Sequence, residues 1–492
     1  MKANKIPYNY EFFASFFLPD GMIDWFDITK VEEDKNEGSK DLDILFPTIL
    51  HVYLDERDNR EGENLGLKGN GFSEYTTYQD YPIRNRKVML HVRRRRYKDA
   101  DGHNIILNNY PMKADGTEIS VEFGLFLKTA LDNYPVTANS VARFFGLNGS
   151  TLNRYYKYHL SDFEDWDQKE HAKEWILLAK NIGKRCSIDE TTLCDEVYTI
   201  FSNKDAHGKR GSIIAVVRGT KAEVVSAILM KMSIEDRSLV KEVTMDFSDS
   251  MYAIVKTCFP EATIVIDCFH IIQRLCEGLD EMRLRFKRLA VTETKKAEAD
   301  FKQKEEEKAK KRAYNREWYA KNRTCKTPKG KKRGRKRKRK QKYEPETFSN
   351  GDSKVELFTR SRGLLYKAGG KWSKSQAKRA KILFKQAPKI REGYSLICSV
   401  RSIFSNKKLN RDQAREKLHK WYDKVAKCTL REIKSARDCI KQKEEEVLNY
   451  FIRRSSNAAA ESLNAKMKGF KAQVHGVGDI PYFLYRVCTI FG

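Results

Sequence analysis

Three carboxylates far apart along the chain, Asp189, Asp246 and Glu461, are the side chains through which this sequence could do chemistry. Asp189 sits in Cys186-Ser-Ile-Asp-Glu-Thr191, which reads as a short strand, Asp246 closes Val243-Thr-Met245, and Glu461 lies in a helical stretch. Cutting or joining a phosphodiester needs a stabilised pentavalent phosphorus, an activated oxygen nucleophile and help for the leaving oxygen. Two divalent ions about 3.5–4 Å apart supply all three. Hard Mg²⁺, with Mn²⁺ as its substitute, takes carboxylate oxygens and keeps several waters. Two strand ends and one helix can present one bridging and two terminal carboxylates. Their spacing forms no tight motif, so the weight falls on the elements that position them.

The stretch from Val240 to His270 reads as strand, helix, strand. Met251, Ile254, Val255 and Cys258 recur at helical spacing until Pro260, and Ala262–Ile266 is a β-branched run too short for a helix. In an open α/β sheet, sites form at the ends of strands. Asp267 ends the second of these strands, where it either caps the following helix or shares a metal. His270, in the first turn of that helix, is either a structural hydrogen-bonder or a neighbour of the scissile phosphate. Glu190 points to the opposite face of the strand from Asp189. Upstream, Glu196–Ser202 and Gly211–Val217 read as two more strands and Lys221–Met232 as a helix. The order strand, strand, strand, helix, strand, helix, strand resembles the ribonuclease-H-like fold, an α/β class. That fold sets its first and fourth strands side by side, which would bring Asp189 and Asp246 together.

Glu461 belongs to Ser455-Ser-Asn-Ala-Ala-Ala-Glu-Ser-Leu-Asn-Ala-Lys-Met-Lys-Gly469, where Ser455 or Ser456 is the expected cap. Asn457, Glu461, Asn464 and Lys468 share one helix face, beside an apolar face of Ala460, Leu463, Met467 and Phe470. Asparagine is a poor interior helix former, so two of them flanking a glutamate suggest accessory roles for Asn457, Asn464 and Lys468.

The formal charge of +28 points to a polyanionic partner, double-stranded DNA first. Lys326–Lys342 holds twelve Lys/Arg in 17 residues, and removing them from +28 still leaves +16. All ten cysteines lie at or after Cys186 and none forms a C-x-x-C pair, so neither a zinc ribbon nor a disulfide framework is expected. No signal peptide and no run of 18 apolar residues is present, which points to a cytoplasmic, nucleoid-associated protein and no membrane. Residues 1–120 read as an α+β region, with strands at Ile44–Leu54 and Lys87–Val92 and a loop at Gly62–Gly71. The run Arg93, Arg94, Arg95, Arg96 is a candidate phosphate contact. Residues 121–165 carry a helix-turn-helix signal: Val121–Leu131, Asn139–Phe145, the turn Gly146–Gly149, and a third helix Thr151–His159 capped by Ser150. Leu152, Tyr155 or Tyr156 and His159 would pack inward. Thr151, Asn153, Arg154 and Lys157 would face a major groove. Asp162–Lys180 reads as an acidic, then helical linker. The remaining domains would be 183–290, the first part of the core; 291–454, an all-helical insertion with the basic tract 326–342; and 455–492, helices completing the core. Thr429–Phe451 reads as one helix and Tyr482–Phe491 as the last.

At these residues the chain resembles the bacterial insertion-sequence transposases of the ISL (type three) family, and the ISAon-like branch within it. The matching pieces are Ser187-Ile-Asp-Glu-Thr191, Val243–Tyr252, Phe259–His270 and Ser456–Lys468, in that order, together with an insertion containing Ser373–Tyr394 and Trp421. The resemblance implies a DDE transposase with Asp189, Asp246 and Glu461 as metal ligands and terminal inverted repeats as substrate. Synapsis of two ends implies at least a homodimer. Two departures stand out. The cysteine-rich zinc ribbon of many members is absent from residues 1–185, so zinc is not supported, and Ala458 stands where a glycine is usual. The rival readings are a catalytically inactive or domesticated DNA-binding relative and a junction nuclease on the same fold.

Overall fold

The computed structural model describes residues 10–37, 45–108, 110–322 and 342–492. Nearly all of the basic tract 326–342, every residue but Lys342, lies outside the described residues. The chain divides into two compact units. One comprises Met1–Val243, Asp249–Ala262 and Asn457–Gly492; the other comprises Thr244–Ser248 and Thr263–Ser456.

The first unit begins with a four-stranded sheet in the order Phe26–Lys35, Thr48–Glu56, Arg86–Arg93, Thr76–Ile83. Along Arg86–Arg93, Val88, Leu90 and Val92 are buried at every second position, so one face meets Met22, Phe26 and Tyr78 in a small core. Gly62–Gly71 is not a simple loop. A short 3-10 turn, Gly62–Gly66, leads into the strand Lys68–Phe72, which pairs antiparallel with Arg95–Lys98.

Three helices follow, Val121–Asn133, Ala138–Phe144 and Gly149–Tyr155. The third is capped by Asn148, whose Oδ1 accepts the N–H groups of Ser150 and Thr151 at 3.0 and 3.1 Å, and not by Ser150. Asparagine caps as well as serine, and Ser150 already lies inside the first turn, where its own N–H needs an acceptor. Leu152, Tyr155 and Tyr156 are buried as expected, whereas His159 is exposed and lies over Gly116. An added Cβ at Gly116 would fall 2.1 Å from the His159 Nδ1, and its φ of +69° suits glycine alone.

The core sheet of this unit has the order Glu242–Met245, Arg185–Leu193, Glu196–Asn203, Ile213–Arg218, Trp175–Leu177. The first of these strands contributes Glu242 and Val243 to the unit. Trp175–Leu177 corrects the expected helical linker: it is an edge strand, antiparallel to Ile213–Arg218, with Ile176 opposite Val216. Three apolar residues cannot close a helical turn on the core, but one strand alternation buries Ile176 completely. Against one face of the sheet lie the helices Ala458–Val474 and Ile480–Phe491. Leu463, Met467, Phe470, Leu484, Val487 and Phe491 pack there with Leu193, Tyr198, Ile200 and Val216. The helices Ala222–Leu229 and Asp249–Cys258 pack on each other, and Phe259 stacks on Phe201 with ring centroids 4.8 Å apart.

In the second unit, the strand Thr263–Ile266 lies beside the end of Glu242–Met245, and the Asp267 N–H reaches the Met245 carbonyl at 3.0 Å. Asp267 then opens one continuous helix, Cys268–Lys321, of 54 residues. Its first half carries Leu275, Leu279 and Met282 into a core with Ile390, Ile397, Trp421, Ile433 and Ile440. Arg431–Gln442 passes so close that a Cβ at Gly278 would stand 3.1 Å from the Glu432 carbonyl oxygen. The span Thr429–Phe451 is not one helix but three short ones, Arg431–Gln442, Glu444–Leu448 and Tyr450–Arg453. The nine described cysteines are free.

Candidate active site

In the first unit, Asp189 is the fifth residue of the nine-residue strand Arg185–Leu193, not its last. Pairing with Glu196–Asn203 continues to Leu193, so the strand outruns the short stretch Cys186–Thr191 expected from the sequence. Asp189 is 8 % exposed and lies opposite Ile200, on the face that Ile200 and Leu193 present to the helix Ala458–Val474. From that helix, Asn464 donates its Nδ2–H to the Asp189 Oδ2 at 2.7 Å, and the Asp189 Oδ1 accepts the Glu190 N–H at 2.8 Å. Both oxygens are thereby oriented. Asn464 is 7 % exposed, and its Oδ1 is buried without a hydrogen-bond partner. Asn457 is fully buried and donates to the Ile188 carbonyl at 3.4 Å. This corrects the expected cap: the helix starts at Ala458 with Asn457 at the cap position, and neither Ser455 nor Ser456 closes it. Glu461 and Lys468 are exposed on the same helix, so the polar stripe divides into buried amides and solvated charges.

In the second unit, Asp246 follows the last residue of Glu242–Met245, with its side chain 23 % exposed. The His270 Nε2 lies 3.0 Å from the Asp246 Oδ1. This contact fits both readings of His270, a structural hydrogen-bonder and a neighbour of the site. Asp267 is buried and its Oδ1 accepts the Phe269 N–H at 2.8 Å, which makes it the cap of the long helix.

A family model described as a transposase, the ISL3 type of DDE transposase, matches residues 186–487. The chain belongs to this family. A search of curated proteins finds no match. As a transposase it is a nucleotidyl-transfer enzyme acting on DNA. Among the described residues, no helix of the transposase is long and apolar enough to cross a membrane.

DDE transposases work with divalent metal ions, and the donors around Asp189 suit a hard one. A buried carboxylate stands beside an amide oxygen that no protein donor satisfies, and no thiol is among these groups. Asp99, Asp101 and His103 also converge, but in an exposed turn whose Asp99 Oδ1 is already taken by the Asp101 and His103 N–H groups.

The residues expected to touch DNA divide sharply. Arg93 makes a two-pronged pair with Asp55, at 2.6 and 2.7 Å. Arg94 is turned inward, where it donates to the carbonyls of Leu107 and Tyr110 near the buried Glu56. Arg95 reaches the Glu56 carbonyl at 2.7 Å and stacks on Phe72, and Arg96 keeps a buried Nε. Arg93 and Arg94 are thus occupied within the sheet. In the three-helix block, Asn153 and Arg154 are exposed. Lys157 departs from expectation: it pairs with Asp479 at 2.8 Å and lies over the rings of Tyr158, Phe163 and Tyr482. Burial costs the Asp479 carboxyl, yet the Lys157 ammonium and the Tyr482 N–H outweigh it and hold it below the usual range. The Tyr482 hydroxyl also reaches Asn153 at 3.3 Å. Between these helices and residues 470–486 lies a cleft of about 790 Å³, lined by Arg143, Ser150, Asn153, Lys157, Gln473 and Asp479. Sequence reasoning missed this second wall. Its signal was Asp479 before Ile480-Pro481, a helix cap followed by an early proline.

Proposed function

We propose that the protein catalyses Mg²⁺-dependent cleavage and strand transfer at the terminal inverted repeats of its element, with Asp189, Asp246 and Glu461 as the metal-binding carboxylates of a ribonuclease-H-like core. The observation that carries this reading is the hydrogen bond from Asn464 to Asp189. Asn464 lies three residues past Glu461, so the helix bearing the third carboxylate is tied directly to the first. Divalent ions, when bound, would supply nucleophile activation and charge stabilisation at phosphorus. The chain's own part is orientation. Asn464 and the Glu190 amide fix the two oxygens of Asp189, His270 contacts Asp246, and Asp267 caps the helix that carries His270.

The three-helix block, through Asn153, Arg154 and the flanking Arg143, would read the repeats, and the helical insertion with its basic tract would hold DNA by its phosphates. Pairing of two ends would be the work of a dimer or larger assembly. The test is single replacement of Asp189, Asp246 and Glu461 by Ala, with end cleavage measured on a repeat-bearing duplex. Loss of a charge-stabilising ligand is worth several kcal/mol, about a thousandfold in rate or more. Cleavage that survives in all three variants would refute the assignment.

A further inference from the structure

The helix Cys268–Lys321 loses its packing after Ala290, the last residue it buries. From Val291 to Lys321 it runs on for about 45 Å at 1.5 Å per residue, and residues 306–321 are exposed throughout. Its middle is supported by pairs along its own surface, Lys302 with Glu298 at 2.7 Å and Lys308 with Glu305 at 3.0 Å. Such a solvated helix has no need of large rings. Yet Tyr314, Trp318 and Tyr319 are 68 %, 51 % and 65 % exposed, with Trp318 and Tyr319 in edge contact at 5.1 Å. The same turns carry a charge reversal. Residues 292–307 hold six acids and four bases, whereas Lys308–Lys321 holds six bases and one acid. Lys311, Tyr314 and Trp318 follow at steps of three and four and share one strip; Arg312 and Tyr319 share the next.

We propose that Lys308–Lys321 is a binding surface for unpaired DNA, on which Tyr314, Trp318 and Tyr319 stack with bases while Lys311, Arg312 and Arg316 hold the phosphates. Flat exposed rings interleaved with cations fit a partner that offers both faces of bases and a polyanionic backbone. An intact duplex offers its backbone and base edges but no base faces, because its bases are stacked inside. A second copy of this helix is a poor partner: residues 292–321 contain no Leu, Ile, Val or Met to form a seam, and the two basic ends would repel.

The experiment uses the full-length protein and two fluorescent probes of about 20 nucleotides, oligo-dT and a blunt duplex of arbitrary sequence, read by anisotropy. The variant Trp318→Ala/Tyr319→Ala should bind oligo-dT about tenfold more weakly and the duplex within about twofold of the parent. Lys311→Gln/Arg312→Gln/Arg316→Gln should weaken both and flatten the salt dependence of each. Asp189→Ala should bind oligo-dT as the parent does, which separates this surface from the proposed catalytic site. Equal losses on the two probes, or none on oligo-dT, would overturn the proposal. So would a parent protein that fails to bind oligo-dT, or an aromatic variant whose defect appears instead on anionic phospholipid vesicles or in oligomer size. The far-ultraviolet circular dichroism of both variants should match the parent, because no altered side chain is buried.

Discussion

Asp189 and Asp246 are the same residue type, one in each unit, but they keep different company. Asp189 sits mid-strand, nearly buried, with each oxygen fixed by a neutral N–H, one from its own backbone and one from Asn464. Asp246 lies just past a strand, partly open to solvent, and faces an imidazole that can carry charge. The first setting orients an anion without cancelling it. The second sets the anion beside a neighbour that can balance it. If both serve a metal, Asp189 is the preformed ligand and Asp246 the adjustable one, so removing their partners should have unequal effects.

The largest expected effect comes from Asn464. Asn464→Ala removes a buried hydrogen bond to a charged group, and loss of such supporting partners typically costs 10–100-fold in metal affinity. The Mn²⁺ midpoint, followed by electron paramagnetic resonance in the absence of DNA, should rise by about that factor, and Asn464→Gln should recover little because its amide is displaced by one methylene. His270→Ala should lower end cleavage by about tenfold while moving the Mn²⁺ midpoint less than Asn464→Ala does. A larger shift for the histidine variant would reverse the ranking. The smallest effect belongs to a pair remote from both aspartates. Asp479→Asn breaks the half-exposed contact with Lys157 and should lower the melting midpoint at neutral pH by no more than about 2 °C. Because the folded protein holds the Asp479 carboxyl below its ordinary value, the parent's advantage is present above the usual carboxylate range and fades as pH falls through that lowered value. A difference that persists in strong acid would show that the pair is not its source.

The elements that carry the three acidic residues were legible because they depend on local pattern. The β-branched run 262–266, the helical spacing from Met251 to Cys258 and the asparagine stripe around Glu461 each follow from a few neighbouring residues. What stayed hidden depends on register and tertiary company. Four successive arginines look alike in sequence, but one strand ends at Arg93 and the next begins at Arg95, and carboxylates and carbonyls distant in sequence claimed Arg93 and Arg94. Lys157 looked free because its partner lies 322 positions away. Asp189 looked terminal because the stretch Cys186–Thr191 read from the sequence ends before the strand Arg185–Leu193 does. The strand Trp175–Leu177 stayed hidden within an expected helical linker, since three residues carry no period and only the pairing with Ile213–Arg218 defines it.

The core sheet of the first unit is finished by residues that come late. Gly211 and Ser212 donate their N–H groups to the carbonyls of Gly492 and Phe491, at 3.1 and 2.8 Å, and Leu463 through Phe491 roof Tyr198 and Ile200. At ordinary ribosomal speed, roughly 15–55 s separate the emergence of Arg218 from that of Phe491. During this interval a bare apolar face waits for its cover, so a message cut short before codon 463 would release a sticky product instead of a smaller enzyme.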